Sequence, residues 1–404
     1  MMSILLCVKS TSRLSASVRC VATKASPKLQ LYSYGDGYLG TLGQDNFDSL
    51  SSPKLVKSLA ELDLTKLSCG WSHTGVLDAN GSAYVFGRTH HFRSVIRAIN
   101  MHRMVPFFMK FINTVGGEQA IEAFRPIQVD IKEPVRDISC GAALTLYLTE
   151  SGALYSNGGN AYGQCGTKNE SSSVWEPTKI NIPGKSSKVA SMAAGFQHAL
   201  AATKEGQVYT WGKGERGQLG FGTVNVSAPQ HIVALRQKKV VKVGAGFNHS
   251  VALTDAGELF IWGKLLGADV YGRKTGSDQI TPRLVQTAAP VSLMKSSFFH
   301  TFVVTDDGKL WCMGRSQASQ QTEVANRKYA DTHITPLAID NSFLNNRKII
   351  HLGGGINSTT IVTDDGKVYE WTWELGLQPL EVTKGLDVVA YERGYGSNMV
   401  LARN

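Results

Sequence analysis

Residues 246–263 read GFNHSVALTDAGELFIWG, and the pattern recurs along the chain on a fixed ruler. With Gly246 as position zero, the same place is held by Gly70, Gly141, Gly195, Ser297 and Gly355. A turn glycine follows eleven residues later in each unit, at Gly81, Gly152, Gly206, Gly257, Gly308 and Gly366. Seventeen residues after zero come Gly87, Gly158, Gly212, Gly263 and Gly314, with Thr372 in the sixth unit. Four units carry a histidine three residues after zero: His73, His198, His249 and His300. Two apolar, β-branched runs joined by an Asp/Glu-x-Gly turn are a hairpin. A hairpin repeated with variable outer connections is an array of small sheets.

A seventh unit starts near the end of the sequence. Gly394 sits at zero and Ser397 in the histidine place, but the turn glycine would fall after Asn404. The missing strand is at the other terminus, where Leu29-Gln-Leu-Tyr-Ser-Tyr-Gly35 matches Ala153-Leu-Tyr-Ser-Asn-Gly158. The expected fold is therefore all-β, a seven-bladed β-propeller over residues 29–404 closed by its N- and C-terminal strands. Such a join removes the open sheet edge that an unclosed array presents.

Composition agrees with that reading. The 404 residues are 42% apolar with 41 Gly, which argues against a disordered chain and against a helical bundle. No apolar run approaches the ~20 residues of a membrane-spanning helix. The net charge of +10 is less informative than it looks. Five basic residues and no acid fall before Asp36, and the remainder carries only +5. That is weak for a nucleic-acid footprint. Residues 1–28 combine spaced Arg and Lys, many Ser and Thr and no acid, as a mitochondrial transit peptide does. The expected mature N-terminus lies between about 20 and 28, and the expected location is the matrix or the matrix side of the inner membrane.

The repeat resembles the regulator of chromosome condensation family, through a mitochondrial member of exchange-factor-like type. Its fingerprint GxxxxGQLGxG stands here as Gly212-Lys-Gly214-Glu-Arg-Gly217-Gln-Leu-Gly220-Phe-Gly222, and recurs as Gly158-Gly-Asn160-Ala-Tyr-Gly163-Gln-Cys-Gly166. The resemblance implies a non-catalytic platform with no cofactor and no small-molecule substrate. It implies a guanine-nucleotide exchange factor or regulator for the dynamin-like GTPase of inner-membrane fusion. Such a factor binds the nucleotide-free GTPase best and needs no covalent chemistry. A scaffold for mitochondrial ribosome or rRNA assembly is the alternative, and a respiratory-complex assembly factor a weaker one.

Other motifs reduce to the repeat. The G-x-G-x-x-G strings at Gly35 and Gly212 open no helix, so they are not dinucleotide sites. Their shared register with Asn160 suggests positions that need φ > 0. The histidines occupy equivalent slots around a ring and cannot converge on one metal ion, so hydrogen bonding within each sheet is expected of them. Gly70, Gly141, Gly195, Gly246, Gly355 and Gly394 read as structural too, and Cys69 and Cys140 as small buried residues. The sequence holds no catalytic constellation. Arg236-Gln-Lys-Lys-Val-Val-Lys242 reads as a solvated loop and strand end, with a phosphate contact as the alternative.

Residues 88–125 depart from the ruler by about 18 extra residues. Phe92, Val95, Ile96 and Ile99 follow helical spacing, with Arg93, Arg97 and Arg103 on the other face, and Phe107, Phe108, Lys110 and Phe111 follow. A helical insertion of this kind docks on a protein partner or a membrane surface, or folds back over its own blade.

Overall fold

The computed structural model describes residues 27–37, 40–87, 124–168, 171–184, 188–264, 278–314, 336–356, 358–372 and 375–403. All but the last two residues of the expected transit peptide and most of the expected helical insertion lie outside them.

The described residues form seven four-stranded antiparallel sheets. Six follow chain order: blades 1 to 6 at 64–128, 135–180, 189–231, 240–285, 291–339 and 349–379. Blade 7 is built from both ends of the chain, in the order Leu50–Leu55, Leu29–Gly35, Ser397–Arg403, Asp387–Arg393. Within a blade the residue three after zero pairs with the residue seventeen after zero, as His249 does with Gly263 and His198 with Gly212. Ser397 pairs with Gly35 across the termini in the same register. The closing strand thus takes the place that a continuous hairpin takes elsewhere.

The innermost strands run Leu64–Cys69, Val135–Cys140, Val189–Ala194, Val240–Ala245, Val291–Ser296, Ile349–Gly354 and Asp387–Arg393. Each packs beside the next, and the last returns to the first. Alternation along the strands explains why the ring coheres. Successive side chains of a strand point to opposite faces, and here both faces are covered by neighbouring blades. Leu144, Leu146 and Leu148 pack toward blade 3 with Val189 and Trp211, whereas Tyr147 between them packs toward blade 1 with Leu77 and Val85. Hence the second strand of every blade is buried at nearly every position instead of alternating with polar residues.

The fingerprint loops are the lateral fasteners. Trp211 and Trp262 are fully buried, and their indole N–H groups donate to the carbonyls of Gln164 and Gln218 in the preceding blade, at 2.8 and 2.9 Å. Gly166, at φ +67°, lies against the Trp211 ring, and a Cβ there would sit 2.7 Å from the indole nitrogen. The expectation of φ > 0 at Gly37, Asn160 and Gly214 is corrected: none lies in the left-handed region. Close approach is the constraint at Gly214, where a Cβ would sit 1.8 Å from the Val224 carbonyl. Asn160 instead tightens its loop, accepting from the Cys165 N–H at 3.0 Å and donating to the Ser171 carbonyl at 2.9 Å.

Removing residues 1–35 should expose the pairing edge of Ser397–Arg403 and give an aggregating chain, whereas a chain starting at residue 27 should unfold as cooperatively as the full length. Within the intact chain, Leu31→Ala should cost about 2–5 kcal/mol in denaturant unfolding, since Leu31 is 1% exposed between blades 7 and 1. A loss below about 1 kcal/mol would contradict the closure.

Candidate functional site

The inner strands enclose a channel of about 520 Å³. Each of them carries a bulge at the same step, between the residues six and four before zero. A bulge re-aims the side chains beside it. The residues four before zero include Lys66, Asp137, Lys242, Leu293, His351 and Ala390, and all of these line the channel. Lys242 lines the channel with part of its surface in solvent. Burial by the surrounding walls, together with Lys295 and Lys66, holds its ammonium below the usual lysine range.

An ion pair crosses the channel two residues before zero. There most blades carry Ser, Ala or Gly, but blade 5 has Lys295 and blade 7 has Glu392. The Lys295 ammonium donates to Glu392 Oε1. Glu392 is 3% exposed, its Oε2 accepts from the Gly354 N–H at 3.2 Å, and His351 Nε2 lies 3.4 Å from its Oε1. Burial alone would raise this carboxyl, but Lys295 and His351 outweigh it and hold the group down at about 2. Lys295 reaches blade 7 by passing over blade 6 at Gly354, where a Cβ would stand 3.2 Å from its Cε.

One end of the channel is capped by aromatic rings. They come from the residues just after zero: Trp71, Phe196, Phe247, Phe298 and Tyr395. The Trp71 ring lies 5.4, 6.4 and 5.0 Å from those of Phe196, Phe247 and Phe298 and stacks on Tyr395 at 4.9 Å. Since these partners belong to blades 3, 4, 5 and 7, the indole lies over the channel mouth. Backbone bonds hold the rim, with Trp71 N–H donating to the Gly141 carbonyl and Tyr395 N–H to that of Trp71, at 3.0 and 2.8 Å. Tyr395 is 58% exposed, and the other rings are half-buried. The fingerprint loops emerge on this same face. Around the opposite mouth Val241 and Ile350 are exposed.

The histidines act between sheets and not within them, which corrects the expectation from sequence. His73, His198, His249 and His300 bond through Nε2 to Thr145, Ser250, Thr301 and Thr359 of the next blade, at 3.0, 2.9, 3.0 and 2.7 Å. Ser250 spends its own proton on the Gln218 carbonyl at 2.8 Å, so His198 is the donor in its pair. The ring of His249 also explains the glycine at zero, because a Cβ on Gly246 would meet its Cε1 at 2.1 Å. Burial pushes His198 and His300 down to about 3 and His249 to about 4. Burial likewise pushes the thiols of Cys69 and Cys140 up, the latter to about 12, which makes them poor nucleophiles. Among the described residues no three of His, Cys, Asp and Glu gather as a metal site.

Phe92, Arg93, Arg97, Arg103, Phe107, Phe108, Lys110 and Phe111 lie outside the described residues. The chain resumes at Phe124, buried edge-on against Phe47 with centroids 3.8 Å apart, and Arg125 pairs with Asp45 at 3.2 Å. The 236–242 lysines divide. Lys238 and Lys239 pair with Glu258 and Asp255 on the surface, at 2.8 and 3.2 Å, and Lys242 alone enters the channel. The channel layers were not legible beforehand, because the bulge that aims them leaves no mark in residue type. The aromatic cap did leave one, in the ring that recurs after zero.

Terminal-strand closure, loop-borne indole clasps and an aromatic-capped channel define a seven-bladed propeller. Residues 30–378 match the RCC1-like domain, and the chain belongs to that family. It is 29% identical to the RCC1 domain-containing protein RUG3, mitochondrial, of Arabidopsis thaliana, over 61% of this chain and 54% of that protein. It is 27% identical to the secretion-regulating guanine nucleotide exchange factor of Bos taurus, over 72% of this chain and 60% of that one. The matched region is thus little more than half the length of these relatives. The crystal structure of Prp20p from Saccharomyces cerevisiae shares the fold at 17% identity with a TM-score of 0.71, over 94% of this chain and 92% of that one.

The buried histidines fix how stability depends on pH. The unfolded chain protonates them below pH 6.5, whereas the folded ring holds them neutral down to about 3 or 4. Their contribution is therefore complete above pH 6.5 and is lost progressively as pH falls toward 4. His198→Gln should flatten the dependence of unfolding free energy on pH between 6 and 4 by about one proton, ~1.4 kcal/mol per unit. An unchanged slope would show that His198 is already charged in the fold.

Proposed function

We propose that the chain is a mitochondrial, non-catalytic regulator that docks a GTPase on its aromatic-capped face and accelerates nucleotide release, the partner being the dynamin-like GTPase of inner-membrane fusion. The observation that carries this reading is the cluster around Trp71 and Tyr395. It is a rigid aromatic platform at the centre of the loop-bearing face, with one ring largely exposed. Aromatic rings anchored in a pre-formed backbone supply contact area at little entropic cost, as interface hot spots require. Family membership supports the role. One relative is by name a guanine nucleotide exchange factor, and the Prp20p structure is titled for its binding to Gsp1p and histones. The mitochondrial address rests on residues 1–28, and RUG3 is mitochondrial by name.

Purified chain should speed release of a fluorescent guanine nucleotide from the fusion GTPase. Tyr395→Ala should lower that acceleration about tenfold with unfolding unchanged. Failure to accelerate release would overturn the exchange reading. Organelle crosslinks to ribosomal RNA instead of the GTPase would favour the assembly scaffold.

A further inference from the structure

The channel has chemistry that partner docking on the capped face does not use. Blade 5 breaks the repeat twice within three residues. It carries Lys295 where most blades carry Ser, Ala or Gly, and Ser297 where the other six have glycine at zero. The Ser297 side chain is 6% exposed, lines the channel, and its hydroxyl has no hydrogen-bond partner among the described residues. A hydroxyl left unpaired in such a place is costly unless something in the channel accepts from it.

Above it, toward the open mouth, stand Lys66 and Lys242 on opposite sides of the ring. Among the described residues neither makes an ion pair. Lys295 is committed to Glu392, and Arg393 to Glu370. Asp137, with its Oδ1 accepting from the Ile138 N–H at 3.1 Å, opposes the two lysines more strongly than Glu392, which is paired with Lys295. The free charge of the channel is therefore positive, held in a concavity of about 520 Å³ whose far end is closed by the aromatic cap. Burial, then the Lys295 charge and more weakly that of Lys66, lower the proton affinity of Lys242 within this concavity. Such a volume suits a small molecule, and tetrahedral anions satisfy ammonium and hydroxyl donors together.

We propose that the channel binds a small phosphate-bearing molecule, entering from the mouth opposite the aromatic cap, with Lys66 and Lys242 neutralising the phosphate and Ser297 donating a hydrogen bond at the inner end. Asp137 and Glu392 in the same lining favour a ligand that also presents hydroxyl or amino donors beside its phosphate.

Titration calorimetry of the full chain with sodium pyrophosphate, at low salt, tests this. Saturable one-to-one binding is expected. It should weaken at least tenfold in Lys242→Met and in Lys66→Met, and several-fold in Ser297→Ala. Lys242→Met should unfold at the same or a higher temperature than the parent without ligand, because it removes a charge that burial and Lys295 disfavour by more than Asp137 favours it. Lost binding in that variant is then not lost folding. No saturable heat with the parent chain, or undiminished binding in both lysine variants, would overturn the proposal. Citrate binding as tightly as pyrophosphate would overturn the phosphate class.

Discussion

Closure of blade 7 is the constraint on which the ring depends. Leu29–Gly35 pairs over its whole length with Ser397–Arg403, so residues at opposite ends of the chain share one sheet. Without that strand, Met399 and Leu401 lose their cover from Leu31 and the cluster between blades 7 and 1 opens. The buried hydroxyls of Tyr34 and Tyr391 meet across this join, and Tyr391 donates on to Asn398 at 2.9 Å. Burial pushes both phenols up, which keeps them neutral donors within a closed network. A propeller buries each blade only between two neighbours, so one open interface leaves two sheets half-covered.

Closure sets geometry, and the histidines keep it. Each His-to-hydroxyl bond joins one blade to the next at a buried point. Its energy in a dry interface exceeds that of the same pair in water, while an orphaned ring would be costly. The neutral state of these rings follows from that burial. Their recurrence, which at first resembles a ligand set, is the signature of a clasp used four times.

What could be read from sequence follows from what repeats. The offsets of eleven and seventeen gave blade number, register and the terminal join, because turn glycines and strand pairing are local and periodic. The six turn glycines sit at φ between +75° and +86°, as their spacing demands. The direction of the histidine bonds was not legible, since a hydrogen bond within a sheet and one between sheets call for the same residue type. Lys242 was hidden for a different reason. It follows Lys238 and Lys239 in one basic run, and only the bulge between Val240 and Lys242 separates its direction from theirs.

The departures from the repeat then acquire meaning. Most positions of the hairpin are dictated: glycine where a ring or carbonyl presses, apolar where a neighbour covers, histidine where a hydroxyl waits. The register leaves freedom just after zero and two and four residues before it, and at those places the blades differ from one another. Five of the seven carry a large ring after zero, which builds the cap. Two carry charge two residues before zero, and that pair, Lys295 with Glu392, costs desolvation that small residues would avoid. A buried pair spanning blades 5 and 7, over a glycine in blade 6, fixes the relative position of three sheets around the channel. It divides the molecule's axis into an aromatic end and a basic end, so that one body presents two chemically unlike surfaces.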